Sequence, residues 1–158
     1  MQIKKQSTRS RKKVMVFGTF DIIHEGHRHM FKQAKQYGDY LIVSIARVKN
    51  IKILKNVSPL HSEQERLAAV QKEALVDKCF LGEIDDPFFV IKREKPDIIA
   101  LGYDQKHSLA QQLPEKLKEM GLADTKIVQL KAYKPEIYKS SKIREQDKKV
   151  RKIRSAKG

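Results

Sequence analysis

Three histidines, His24, His27 and His29, fall within six positions of the stretch VFGTFDIIHEGHRHMF (residues 16–31), in a chain that has only five. Imidazoles at that density serve a metal, a proton or a phosphate, and their setting discriminates among the three. A structural zinc site takes four Cys or His ligands, yet the region has no cysteine pair and no distant histidine pair at finger spacing. HEGH is not the HExxH of zinc proteases either. Its histidines stand three apart around a glycine, which suits a turn entering a helix rather than two ligands on adjacent helical turns. A nucleophile is equally unsupported, since Ser44 and Cys79 lie inside apolar, β-rich runs with no general base in view. Two readings stay open. In one, His24 caps a turn while His27 and His29 sit on a helix surface. In the other, Gly18 and Gly26 let backbone approach a ligand closely, and a helix beginning near His27 offers free N–H groups and the positive end of its dipole to phosphate. His24 and His27 would then donate hydrogen bonds to oxygens that gain charge as a phosphoryl group is displaced. His29, two residues further on, should point away from that side.

Such a cluster needs a rigid frame, and the apolar pattern supplies one. VMVF (14–17), closed by Gly18, reads as a buried strand, and Met30, Phe31, Ala34 and Tyr37 recur at helical spacing before Gly38, a helix stop. YLIVSIA (40–46) is a second strand. The polar stretch RVKNIKILKNVSPLH reads as a loop, and Ser62 with Glu65 forms a capping box ahead of a helix bearing Leu67, Val70 and Leu75. VDKCFLG (76–82), PDIIALG (96–102) and KIVQL (126–130) complete five β segments, separated by a short helix opened by Pro87 and a longer one over about 108–120. Continuous apolar runs alternating with helices predict an α/β fold, a doubly wound Rossmann-like domain with a five-stranded parallel sheet. Ligands bind such sheets beyond the carboxyl ends of the strands. The histidine cluster after the first strand and LGYDQ (101–105) after the fourth should therefore share one edge.

The 158 residues, 40% of them apolar, suit one domain with a core of its own. No apolar run reaches the eighteen or so residues of a membrane span and the basic N-terminus lacks the apolar stretch of a secretory signal, so no membrane partner is expected and the cytoplasm is the expected address. The single Cys79 reads as a buried, inert thiol. The net charge of +15 is concentrated at the ends: residues 1–13 carry six Lys/Arg and no acid, and residues 139–158 carry nine Lys/Arg against Glu145 and Asp147. The body between them is nearly balanced, which sets out a basic tail over 1–12, a domain over 13–145 and a basic extension over 146–158. Such tails are usually solvated ends, with binding of RNA or an acidic partner as the other reading. A catalytically idle RNA-binding chain would lose affinity steeply with salt; the aromatic content of 7%, with no tryptophan, gives little sign of a base-stacking platform, so nucleic acid is the weaker partner. The absence of a Gly-rich dinucleotide fingerprint or P-loop disfavours a dehydrogenase or a kinase.

GTFDIIHEGH (18–27) resembles the GxFDxxHxGH signature of the cytidylyltransferase-like nucleotidyltransferases, related in turn to the HIGH segment of class I aminoacyl-tRNA synthetases. VKNIK (48–52) falls where that family has a basic loop, ERL (65–67) matches its ExR helix, and SSKIR (140–144) resembles its C-terminal motif. The resemblance implies a HIGH-type nucleotidyltransferase fold and transfer of a nucleoside monophosphate to a phosphate-bearing acceptor, with pyrophosphate leaving and Mg2+ accompanying ATP or CTP. It gives Phe17, Gly18, Thr19 and Phe20 a nucleotide-contacting turn and places His24 and His27 at the α- and β-phosphates. Asp21 would organise the turn or help a magnesium ion; the metal ligands stay unknown. By the same resemblance Lys52, or Lys49, reaches triphosphate or acceptor oxygens, Arg66 adds a charge clamp, and Ser140, Ser141 and Arg144 bind the β- and γ-phosphates. Apart from the resemblance, the lysines read as a solvated loop, Arg66 as a surface ion pair and the two serines as a helix N-cap. A homodimer through the ExR helix is implied by the resemblance alone.

The nucleotide and acceptor are less legible. Glycerol-phosphate cytidylyltransferases carry R-x-x-G-I-S-T-T in the last motif, whereas this chain has KPEIYKSSKIR (134–144), with Lys134 in place of the arginine, Ile137 of the glycine and Lys139 of the first serine. Lysine does not replace arginine at a fork-shaped phosphate contact. KPDIIALGYDQ (95–105) together with KPEIYKSSKIR is more similar to the archaeal-type FAD synthetases, which transfer AMP from ATP to FMN. That places Tyr103 and Asp104 beside the base or the acceptor, with a plain polar turn as the other reading. A CTP-dependent enzyme acting on glycerol 3-phosphate or a similar phosphorylated alcohol is the alternative.

Overall fold

A computed structural model describes residues 11–55, 58–102 and 108–132, and within α-helical segments the side chains of residues 52–55, 108 and 109 fall outside the description. Strands β1 (Lys13–Gly18), β2 (Tyr40–Ile45), β3 (Lys78–Leu81), β4 (Ile98–Leu101) and β5 (Lys126–Gln129) form one sheet in the order β3-β2-β1-β4-β5. Every pairing is parallel. The helices are α1 (Glu25–Tyr37), α2 (Val48–Lys55), α3 (Glu63–Gln71), α4 (Phe89–Glu94) and α5 (Ser108–Glu119). This is the five-stranded parallel sheet with flanking helices that the apolar runs predict.

Parallel strands buried on both faces explain why those runs are continuous rather than alternating. Val14 and Val16 face Phe31 and Ala34 of α1 and Val70 of α3, whereas Met15 faces Val90 and Ile91 of α4 and Leu113 and Leu117 of α5. Val14, Met15 and Val16 are fully buried, and each contributes about 1.5–3 kcal/mol of apolar transfer, so β1 is the keel of both cores. Glu94 is a charged exception: its buried carboxylate accepts from Lys78 Nζ at 3.0 and 3.1 Å and from Arg93 Nε at 2.8 Å, and these cations hold it below the usual carboxylate range against its own burial.

Gly38 follows the last residue of α1, as its reading as a stop requires, but its backbone is extended (φ −162°) and needs no glycine. Space explains the residue: a Cβ there would stand 2.6 Å from the Lys12 carbonyl oxygen. Cys79 is half-buried, and burial pushes its thiol up, in keeping with an inert role.

The stretch after β2 corrects the reading of a loop, because Val48–Lys55 is helical. No N-cap residue in the adjoining sequence announces it. Its N-terminus is completed by Glu63, the first residue of α3, whose Oε2 accepts from Val48 N at 2.9 Å and whose Oε1 accepts from Arg47 Nη1 at 3.2 Å. Buried Ile51 anchors the helix to the body.

The strand order reverses between β1 and β4, and the two strands run parallel side by side. Their carboxyl ends, Gly18 and Leu101, therefore lie on the same edge of the sheet, at the switch point where doubly wound folds bind ligands.

Candidate active site

The turn leaving β1 is tightly constrained. A Cβ on Gly18 would lie 2.7 Å from the ring of Phe20, and Phe20 itself adopts the left-handed region at φ 53°. A bulky residue stays there only where its surroundings over-determine it. Phe20 is 2% exposed, with its ring 5.1 Å from that of His27 and 5.7 Å from that of Phe31. Gly18→Ala is therefore expected to displace that ring and to destabilise the fold by about 1–3 kcal/mol, the scale of overpacking, as measured by urea denaturation. An unchanged midpoint would show that the ring yields freely.

Beyond the turn, His24 is the N-cap of α1, in extended conformation (φ −146°). Its Nδ1 accepts from the backbone N–H of Gly26 at 3.0 Å, and Nδ1 of His27 accepts from the backbone N–H of His24 at 3.4 Å. The two imidazoles thus form a capping box, the reciprocal arrangement more familiar from serine and glutamate. Their rings stack at 4.0 Å between centroids. The expectation that His24 caps a turn is correct, and capping has a chemical consequence. A nitrogen that accepts a hydrogen bond carries no proton, so in both neutral rings the proton resides on Nε2. Burial pushes the His24 imidazole down to about 4, aided by the nearby Arg28 guanidinium and opposed by Glu25, so the ring stays neutral at ordinary pH. The result is two oriented Nε2–H donors beside the positive end of a helix.

Asp21, 4% exposed, organises the turn from below. Its Oδ2 accepts from Leu60 N at 2.8 Å, and its Oδ1 accepts from His61 N at 2.9 Å and from the His61 ring at 3.1 Å. Arg66 is 1% exposed rather than a surface ion pair. Its Nη1 donates to the carbonyls of Thr19 at 2.9 Å and Ala46 at 2.7 Å, and its Nε donates to that of His61 at 3.3 Å. One side chain therefore ties the end of β1, the end of β2 and the approach to α3 together. Burial lowers the Arg66 pKa, with Asp21 and Glu63 opposing, and its Nη2 has no partner among the described residues.

The structure thus gathers Gly18, Thr19, Phe20, Asp21, His24, His27 and Arg66 about one turn, with Phe17 at the end of β1. Lys49 is exposed in the first turn of α2, on a groove lined also by Val48, Ser62, Glu63 and Gln64. Lys52 belongs to α2. Tyr103, Asp104, Ser140, Ser141 and Arg144 lie outside the described residues. Among the described residues no three His, Cys, Asp or Glu side chains converge as a metal site, and no helix is long and apolar enough to cross a membrane. His61 and Gln129 stand in no motif of the sequence. The sequence signal near His61 is the capping box that starts one residue later; Gln129 ends β5 and donates to the Gly102 carbonyl at 2.6 Å, just past the end of β4.

The chain is similar in sequence and in fold to known proteins. The chain is 42% identical over 133 residues to an FAD synthase of Ferroglobus placidus, covering 84% of this chain and 85% of that one. An FAD synthase of Archaeoglobus profundus is 45% identical over 120 residues, 76% of this chain and 75% of its own. The crystal structure of the lipopolysaccharide core biosynthesis protein from Thermoplasma volcanium superposes with a TM-score of 0.73 at 38% identity, over 78% of this chain and 99% of that one. The profile described as cytidylyltransferase-like matches residues 15–146, a span that holds both the β1 turn and the histidine pair. The chain accordingly belongs to the cytidylyltransferase-like family of nucleotidyltransferases.

Proposed function

We propose that the chain transfers AMP from ATP to FMN, forming FAD and releasing pyrophosphate. The observation that carries nucleotidyl transfer is the pair of imidazoles held by their own helix cap as Nε2–H donors at the switch point of the sheet. The choice of ATP and FMN is supported by the FAD synthases to which the chain is 42% and 45% identical. An oxygen of the FMN phosphate attacks the α-phosphorus of ATP as the bond to the bridging oxygen of pyrophosphate breaks. Charge develops on the α-phosphoryl and leaving oxygens, where His24, His27 and the N–H groups opening α1 stabilise it without gaining or losing a proton. Magnesium would come with ATP as part of the substrate and would supply neutralisation of phosphate charge, with Asp21 at the turn after β1 as the carboxylate that would help hold it. Lys49, Lys52, Ser140, Ser141 and Arg144 serve the phosphates, Tyr103 and Asp104 border the base or the acceptor, and Arg66, buried on the carbonyls of Thr19, Ala46 and His61, holds the floor of the site rather than meeting the triphosphate.

The test is pyrophosphate release with magnesium, crossing ATP and CTP against FMN, glycerol 3-phosphate and phosphocholine, with His27→Ala as the blank. Release with ATP plus FMN alone is expected. Release with CTP alone would overturn the choice of base and acceptor, and silence in every pairing would overturn the reaction.

A further inference from the structure

His61 differs from the histidine pair in polarity. The carboxylate of Asp21 can only accept, so the Nδ1 that meets it at 3.1 Å must carry the proton. In the neutral ring that leaves a lone pair on Nε2, the reverse of His24 and His27, whose Nδ1 atoms accept and whose Nε2 atoms donate. The ring is held firmly for a loop residue: the backbone N–H of His61 donates to the same Asp21 oxygen at 2.9 Å, and its carbonyl accepts from Arg66 Nε at 3.3 Å. Asp21 is the residue after Phe20, whose ring packs on His27, so the imidazole borders the site from the side of the β1 turn. Its side chain is 45% exposed, and Nε2 has no partner among the described residues.

Building on the adenylyl-transfer reading, we propose that His61, oriented by Asp21, is a specificity residue whose Nε2 accepts a hydrogen bond from a hydroxyl or N–H group of a substrate. Phosphate does not suit a bare lone pair, because phosphate oxygens are themselves acceptors. ATP and FMN both carry donors of the required kind, on the ribose and adenine of one and on the ribityl chain and ring of the other. The groups that face His61 are Asp21 from the turn after β1 and Glu65 and Arg66 from α3.

His61→Asn separates this role from a structural one. The Asn amide nitrogen occupies the place of Nδ1 and keeps the bond to Asp21, while nothing replaces Nε2. With ATP and FMN varied in turn, the variant should lose about 3- to 10-fold in kcat/KM at pH 8, the scale of one neutral hydrogen bond, through KM for whichever substrate carries the donor. The loss should vanish against the substrate analogue that lacks the donated group, with 2′-deoxy-ATP, 3′-deoxy-ATP, N6-dimethyl-ATP and FMN analogues lacking a ribityl hydroxyl compared in turn, because the unaltered enzyme then has no donor to accept from either. A loss of the same size against every analogue would make His61 a strut and overturn the proposal. A loss confined to kcat, with KM for both substrates unchanged, would also overturn it. No pyrophosphate from the unaltered enzyme at pH 8 would sink the adenylyl-transfer reading, and the proposal with it.

Discussion

His27→Ala is expected to turn over ATP and FMN about 10²- to 10³-fold more slowly at saturating substrate, the scale of losing one donor aimed at developing charge. The loss should appear in kcat, because the donor meets an oxygen whose charge grows only as the reaction proceeds. His24 needs a subtler substitution, since its Nδ1 also caps α1. His24→Ala removes cap and donor together and should cost about 1 kcal/mol of stability besides the activity. His24→Asn keeps an oxygen to receive the Gly26 N–H, asparagine being a favoured N-cap, and removes only the Nε2 donor. Its melting temperature should stay near that of the parent while pyrophosphate release falls by the same 10²- to 10³-fold as in His27→Ala. Equal activity in His24→Asn would take that nitrogen out of the mechanism.

The same variant carries a signature in pH. The His24 pKa lies at about 4 in the fold against an ordinary value of 6.5, so between those values the unfolded chain binds more protons than the folded one. The stability His24 contributes is complete above about 6.5 and is lost as pH falls toward about 4. Removing the imidazole should therefore flatten the acid limb of stability against pH.

The second large effect belongs to Arg66. Arg66→Met preserves much of the buried stem but strands the carbonyls of Thr19, Ala46 and His61, which now accept from the guanidinium. Stranded buried acceptors cost about 1–3 kcal/mol each, and with partial relaxation the variant should lose about 3–5 kcal/mol in urea titration. Arg66→Lys offers one ammonium where three carbonyls approach from different elements, so it should recover only part of that loss. A change within about 0.5 kcal/mol, the range of ordinary surface substitutions, would show that the carbonyls find other partners. Turnover should fall as well, since Thr19 and His61 flank the turn that aims the histidines. The side chain that resemblance alone assigns to the triphosphate is first of all the clamp that holds the floor of the site.

The sequence by itself determined the strand, turn and helix around the histidines, because all three are local. An apolar run fit for burial, a glycine where a Phe20 ring must pass and a residue able to cap α1 follow one another within residues 14–24. Five such apolar runs alternating with helices were enough for the parallel sheet, and a parallel sheet brings the ends of β1 and β4 to one edge. What the tertiary structure decided depends on partners distant along the chain. The helix over Val48–Lys55 takes its cap from Glu63, fifteen residues past Val48, so its own residues read as a loop. Arg66 finds two of its three carbonyl partners 20 and 47 residues away, at strand ends adjacent only once the crossovers are made, and so its sequence context reads as that of a surface helix. The pairing of Asp21 with His61 spans 40 residues and no period announces it. Caps, turns and apolar periods are written over a few neighbouring residues, whereas a buried charge goes wherever the folded chain leaves carbonyls or amides unsatisfied.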